Sequence, residues 1–129
     1  MPNKTYALEW MNLAYKNMET ARLLIRENHF TDSIAIELHQ TIEKSFKAIY
    51  AYLGITIPRT HSLMLLFNFV EEHIQLKNIN PDDLITISDY YETDRYPGPK
   101  YSIPSRNEVE EHFKIAEIIF YNINTYILH

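Results

Sequence analysis

The chain has 129 residues, 46% of them apolar, with 17 acidic side chains against 12 basic ones and no cysteine. That length suits one compact domain over residues 1–129. The lack of cysteine excludes a disulfide framework or a thiolate metal cluster and makes the cytoplasm the expected compartment. No apolar run approaches the roughly 20 residues that span a bilayer, the opening MPNKTYALEW carries no signal-peptide pattern, and the acid sits in the second half (net +1 over residues 1–61, net −6 over 62–129), so neither a membrane nor duplex DNA is an expected partner.

Only two glycines and six prolines interrupt the chain, all at apparent boundaries. Trp10, Leu13, Ala14, Met18, Ala21, Leu24 and Ile25 recur at spacings of three and four, which predicts an amphipathic helix over about 5–27. After a short turn at Asn28, His29 and Phe30, Thr31 or Asp32 is placed to cap a second helix with the stripe Ile34, Leu38, Ile42, Phe46, Ile49 and Leu53, ended by Gly54. A shorter stripe at Leu63, Leu66, Phe67, Val70 and Ile74 predicts a third helix ending near Leu76. Asn80 before Pro81, with Asp82 and Asp83 behind them, predicts the start of a fourth, running to about Tyr91 or Thr93. RYPGPKYSIP cannot continue it and predicts a loop over 94–104. Ser105 and Glu108 form a capping-box pattern ahead of Val109, Phe113, Ala116, Phe120, Ile123 and Ile127, predicting a last helix over about 105–128. The sum is an all-α, antiparallel up-and-down bundle of four main helices and one short one.

No phosphate-cradling glycine loop, GxSxG elbow or HExxH is present, and the six histidines do not fall at metal-ligand spacings, so neither a metal nor another cofactor is expected. The densest polar signal is on the second helix: His39, Gln40, Glu43, Lys44 and Lys47 lie on and beside the margin of its apolar stripe. Two readings fit it. Glu43 and Lys47, one turn apart, suit a solvated ion pair, whereas Gln40, Lys44 and Lys47 suit the rim of a groove that meets a phosphate. Tyr90, Tyr91, Arg95, Tyr96 and Tyr101 around Pro97, Gly98 and Pro99 suit stacking on a base, pairing with a phosphate, or latching against the bundle. Arg106 and His112 carry the residue types for phosphate-ester cleavage, an Arg for developing charge and a His for the proton. Six residues of helix nevertheless set them about 120° apart around the axis, so a dimer groove would be needed to bring them together. Glu108 and His112, four apart, read as a surface pair. Seventeen aromatic residues, ten of them Tyr, exceed what a small core uses. Tyr6, Tyr15, Tyr121 and Tyr126 fall outside the stripes and predict a homodimer surface.

Three segments together resemble one family: Trp10 with Ala14, SIAIELHQTIEKSFKAIYAYLGITIPRTHSL from Ser33 to Leu63, and YYETDRYPG from Tyr90 to Gly98 are similar to the HEPN ("higher eukaryotes and prokaryotes nucleotide-binding") domain, in its branch with an RYP loop. The resemblance implies a bundle of four or five helices, commonly dimeric and often partnered by a minimal nucleotidyltransferase in toxin–antitoxin or defence systems. Residue by residue, it places the family's polar motif on His39, Gln40, Glu43, Lys44 and Lys47, with His61 ahead of the third helix and Arg95, Tyr96 and Pro97 in the loop; with Tyr91 beside that loop, His39, Gln40, Glu43, Lys44, Lys47, His61, Arg95 and Tyr96 are the expected ligand-binding residues. Many members of the family are RNases with Arg, four to six residues, then His. Arg106 and His112 match that string, but it opens the last helix, away from the RYPG loop. The expectation is a non-catalytic module that binds a nucleotide or a nucleotidyltransferase partner. The alternatives are a metal-independent RNase acting on single-stranded RNA through Arg106 and His112, and a dimeric scaffold with no ligand.

Overall fold

The structure is a computed structural model and describes residues 3–93, with side chains through Tyr90, and residues 103–129. Five helices occur among them and no strand: α1 Lys4–Arg26, α2 Thr31–Leu53, α3 Leu63–Glu71, α4 Pro81–Thr93 and α5 Arg106–Leu128. The fold is all-α, as the periodicity predicts, and no helix in it is long and apolar enough to cross a membrane.

Helix ends follow the chemistry of their caps. Asn3 accepts from the Tyr6 amide at the start of α1, Ser62 from Leu65 at α3, and Asn80 from Asp82 at α4. Ser105 and Glu108 close the full capping box on α5. Gly54 takes the left-handed conformation (φ 72°) that ends α2, a position a side chain with a Cβ resists. Two boundaries depart from the sequence reading. The residue at the head of α2 is Phe30, whose side chain cannot cap, and Asp32 binds its neighbour Ser33 N–H instead. Helix α3 stops at Glu71, five residues early, and a turn with Asn78 at φ 65° leads into α4; Leu76 is still buried, from outside the helix.

The buried ridge of α1 is Ala7, Met11, Ala14, Met18 and Ala21. Three alanines on that ridge let neighbouring backbones approach, and the ridge is rotated from the predicted stripe, leaving Leu13 exposed on its flank. Helix α1 runs antiparallel to α2: Asn3 N–H donates to the Tyr52 carbonyl at one end, and Asn17 meets Lys44 and Glu37 near the middle. It also runs antiparallel to α5, where Arg22 pairs with Glu117 and Lys4 reaches the Leu128 carbonyl.

Helix α2 is the hub, packed against each of the other four helices. Fourteen of its 23 residues are buried, on almost every face, and Leu38, Ile42, Phe46 and Ile49 form the centre of the core with Met18, Leu66, Ile87, Ile119 and Ile123. This position has a chemical consequence: polar residues of α2 that a two-layer packing would leave in water are enclosed.

Of the tyrosines assigned to a dimer face, Tyr6, Tyr15 and Tyr121 are about half exposed, whereas Tyr126 is partly buried against Tyr52 at a ring-centroid distance of 5.7 Å.

Candidate functional site

Three positions one helical turn apart on α2, His39, Glu43 and Lys47, fall where the helix is covered by the chain entering α3 and by α4. All three are buried, so the pair Glu43–Lys47 is not a solvated surface pair. Lys47 Nζ donates to Glu43 Oε2 at 3.0 Å, and the other carboxylate oxygen, Oε1, accepts from His61 Nδ1 at 3.0 Å. His39 Nδ1 stands 3.6 Å from the same oxygen.

The tautomers follow from what each partner can do. An ionised carboxylate only accepts, so His61 carries its proton on Nδ1. A carbonyl also only accepts, so His39 donates from Nε2 to the His61 carbonyl, at 3.0 Å. Burial dominates at His39 and pushes its imidazole below the ordinary 6.5, against the upward pull of Glu43. His61 therefore has its ring aimed by Glu43 and its backbone held by His39, and its side chain is 52% exposed. Ser88 of α4 adds a third tie: it accepts from the Leu63 amide at 3.3 Å and lies 3.5 Å from the His61 carbonyl. The element leading to Tyr91, Arg95 and Tyr96 is thus fastened at this cluster. Those three side chains, with the rest of the loop over 94–102, lie outside the described residues.

The other two motif residues go elsewhere. Lys44 Nζ donates to Asn17 Oδ1 at 2.8 Å, and Asn17 in turn donates to Glu37 Oε1 at 2.9 Å, so Lys44 is drawn to the α1 side. Gln40 is partly buried. Gln40, Lys44 and Lys47 do not form a common cationic rim: Lys44 is drawn to α1, and the charge of Lys47 is neutralised by Glu43.

Arg106 and His112 engage different neighbours. Arg106 Nη2 donates to the His29 carbonyl at 2.9 Å, in the α1–α2 turn, and its Nη1 is buried with no acceptor among the described residues. His112 is buried and meets α4. Its Nδ1 is 2.9 Å from the Tyr90 hydroxyl, which is also 2.9 Å from Glu108 Oε2, and its Nε2 is 4.0 Å from Asp83. One hydroxyl proton serves one acceptor. Glu108 can only accept, so Tyr90 donates to Glu108, and His112 Nδ1–H donates to the Tyr90 oxygen. Burial pushes His112 below 6.5 and, with Glu108 and Asp83 nearby, drives the Tyr90 phenol far above its ordinary 10. Glu108 and His112 are therefore parts of a buried link between α4 and α5, not a surface pair, and Tyr90 belongs to that link and not to the loop.

The sequence reading missed Asn17, Asp83 and Ser88. The signal for Asp83 and Tyr90 was present, since seven residues of helix put both on one face of α4. For Asn17 it was a polar residue at the edge of a stripe. No group of three or more His, Asp or Glu side chains among the described residues is placed to hold a metal ion.

Comparison with known proteins fits this architecture. The family model for the HEPN domain matches residues 7–124. A Methanocaldococcus jannaschii protein named "Putative toxin MJ1304" is 27% identical over 119 residues, which cover 87% of this chain and 76% of that protein. Two crystal structures share the fold. ST0689, described as an archaeal HEPN homologue, has a TM-score of 0.69 and 22% identity, covering 94% of this chain and 97% of its own. TT1696 from Thermus thermophilus has a TM-score of 0.76 and 20% identity, covering 92% and 96%.

Proposed function

Because the chain belongs to the HEPN domain family, we propose that it is a toxin-related HEPN module whose activity is binding, with a nucleotide held between the His39–Glu43–Lys47–His61 cluster and the segment carrying Tyr91, Arg95 and Tyr96. The observation that carries this reading is the buried Glu43 carboxylate shared by Lys47 and His61. A buried ion pair contributes little to stability, since apolar residues of similar volume pack as well or better. Such a network ending in a half-exposed, firmly oriented histidine has the character of a site. The M. jannaschii relative's name supports the toxin connection, and a minimal nucleotidyltransferase is the proposed protein partner.

Isothermal titration against nucleoside mono-, di- and triphosphates tests the binding. At least one binds the wild-type chain, and Glu43→Leu combined with Lys47→Met weakens it at least tenfold; silence across the panel defeats the proposal. Co-expression with a minimal nucleotidyltransferase encoded beside it, followed by size-exclusion chromatography, tests the partner. Tyr6, Tyr15 and Tyr121 are the proposed contact between two copies, and sedimentation at micromolar concentration reads it: a monomer at every concentration counts against the dimer. The single-chain geometry gives Arg106 and His112 no shared target, so RNase chemistry by that pair is not part of the proposal.

A further inference from the structure

The seam between α1 and α5 holds a cavity of about 320 Å³ whose apolar lining is Ile25 and the Phe113 ring. Arg22 lies over that ring at 5.0 Å and bridges two carboxylates, with Nε 3.3 Å from Glu19 and Nη2 3.3 Å from Glu117. Its one positive charge is thus committed, and two acids share it. Glu111 pairs with Lys114 at 3.3 Å, whereas Glu110, exposed on the same rim, has no cation within ion-pair distance among the described residues. Four carboxylates therefore face two cations, an excess of two negative charges. Arg26 and Arg106 do not line the cavity, and Arg106 is turned to the His29 carbonyl. The side chains of 91–102 comprise two acids and two bases, so their sum leaves the excess as it is.

We propose that this groove is a docking site for a partner protein that presents a basic amphipathic helix, with an apolar side chain against Ile25 and Phe113 and Lys or Arg side chains against Glu110, Glu111 and Glu117. A groove between two helices is the seat that a third helix uses, its apolar face giving affinity and its flanking charges giving choice of partner. Phosphates are repelled by the surplus carboxylates, which sets nucleic acid aside. A free small cation gains little, because each exposed carboxylate is screened by water and salt. A helix brings the anchor and several charges on one scaffold. The proposal stands apart from nucleotide binding, since it uses none of the residues of the His39–Glu43–Lys47–His61 cluster.

The experiment is fluorescence anisotropy of the full chain with two labelled helical peptides that share a leucine face and differ only in carrying arginine or glutamate beside it. The arginine peptide is expected to bind at least tenfold tighter than the glutamate peptide, and less tightly as salt is added. Glu110→Lys with Glu111→Lys is expected to weaken it at least tenfold, and Glu110→Gln with Glu111→Gln by an intermediate factor. Glu71→Lys with Glu72→Lys makes the same change in net charge at the end of α3 and is expected to leave the affinity within about twofold. Equal losses in the two lysine variants would mean attraction to the charge of the whole molecule and overturn the proposal. It is also overturned if neither peptide binds, if both bind alike, or if arginine amide displaces the peptide at equal concentration. All four substituted positions are exposed, so the variants are expected to fold, which thermal melts verify. If a lysine variant does not, the glutamine pair and the two peptides on the wild-type chain decide.

Discussion

Burial decides the chemistry of the two enclosed imidazoles, His39 and His112. Both are held below the ordinary histidine value of 6.5, with desolvation as the leading cause. An unfolded chain takes up these protons near 6.5, while the folded one takes them up only at lower pH. The stability they contribute is therefore fully present above 6.5 and is lost as pH falls below it. Thermal melts at pH 7.5, 6.5 and 5.5 should show a declining midpoint below 6.5, and the decline should be shallower in a His39→Gln, His112→Gln double variant; equal slopes would count against this account. The carboxylate Glu43 makes a second prediction. Lys47→Ala leaves it buried without its cation and should cost about 3–5 kcal/mol in urea unfolding. Glu43→Leu with Lys47→Met removes both charges and should be close to neutral. Spacing alone revealed that Glu43 and Lys47 meet and that Glu108 and His112 lie one above the other. It did not reveal their burial, because exposure is a property of the neighbouring helices.

Helix boundaries were legible wherever a cap is written locally. Ser105 with Glu108, Asn80 with Pro81, and Gly54 each specify an end within a few residues of sequence, and each forms. Ser105→Ala should destabilise the fold by about 1 kcal/mol, and Gly54→Ala by a similar amount because its φ of 72° opposes a Cβ; denaturant midpoints at constant slope measure both. The boundaries that shifted were set from a distance. Helix α2 begins at Thr31 without a side-chain cap because burial of Ile34, Ala35 and Leu38 holds its first turns in place. Helix α3 stops at Glu71 although Ile74 and Leu76 continue the apolar pattern, since both still reach the core from the turn. An apolar residue reports that it will be buried, and only the fold reports from which backbone conformation.

The bundle as a whole depends on α2. Phe46, fully buried at the meeting of α2 and α3 and 6.0 Å from the ring of Phe67, is expected to cost about 3–5 kcal/mol when replaced by Ala, a large part of the stability of a domain this size. The fold class was readable because its stripes are long and regular; α5's predicted stripe is buried at every position. The candidate site was only half readable. Its members stood out as polar residues beside a stripe, but their partnership needed His61, eighteen residues away from Glu43, and Ser88, further still.

One turn of α4 is moored on two flanks, through Ser88 to the chain entering α3 and through Tyr90 to α5. Whatever pulls on the segment beyond that turn must strain both attachments before it can tilt the helix. The Leu63 amide, which has Ser88 as its acceptor and would otherwise be an unbonded first-turn N–H, thereby becomes a remote gauge: its deuterium uptake should slow when an occupant tightens the mooring and quicken in Ser88→Ala, even though Leu63 itself touches no ligand.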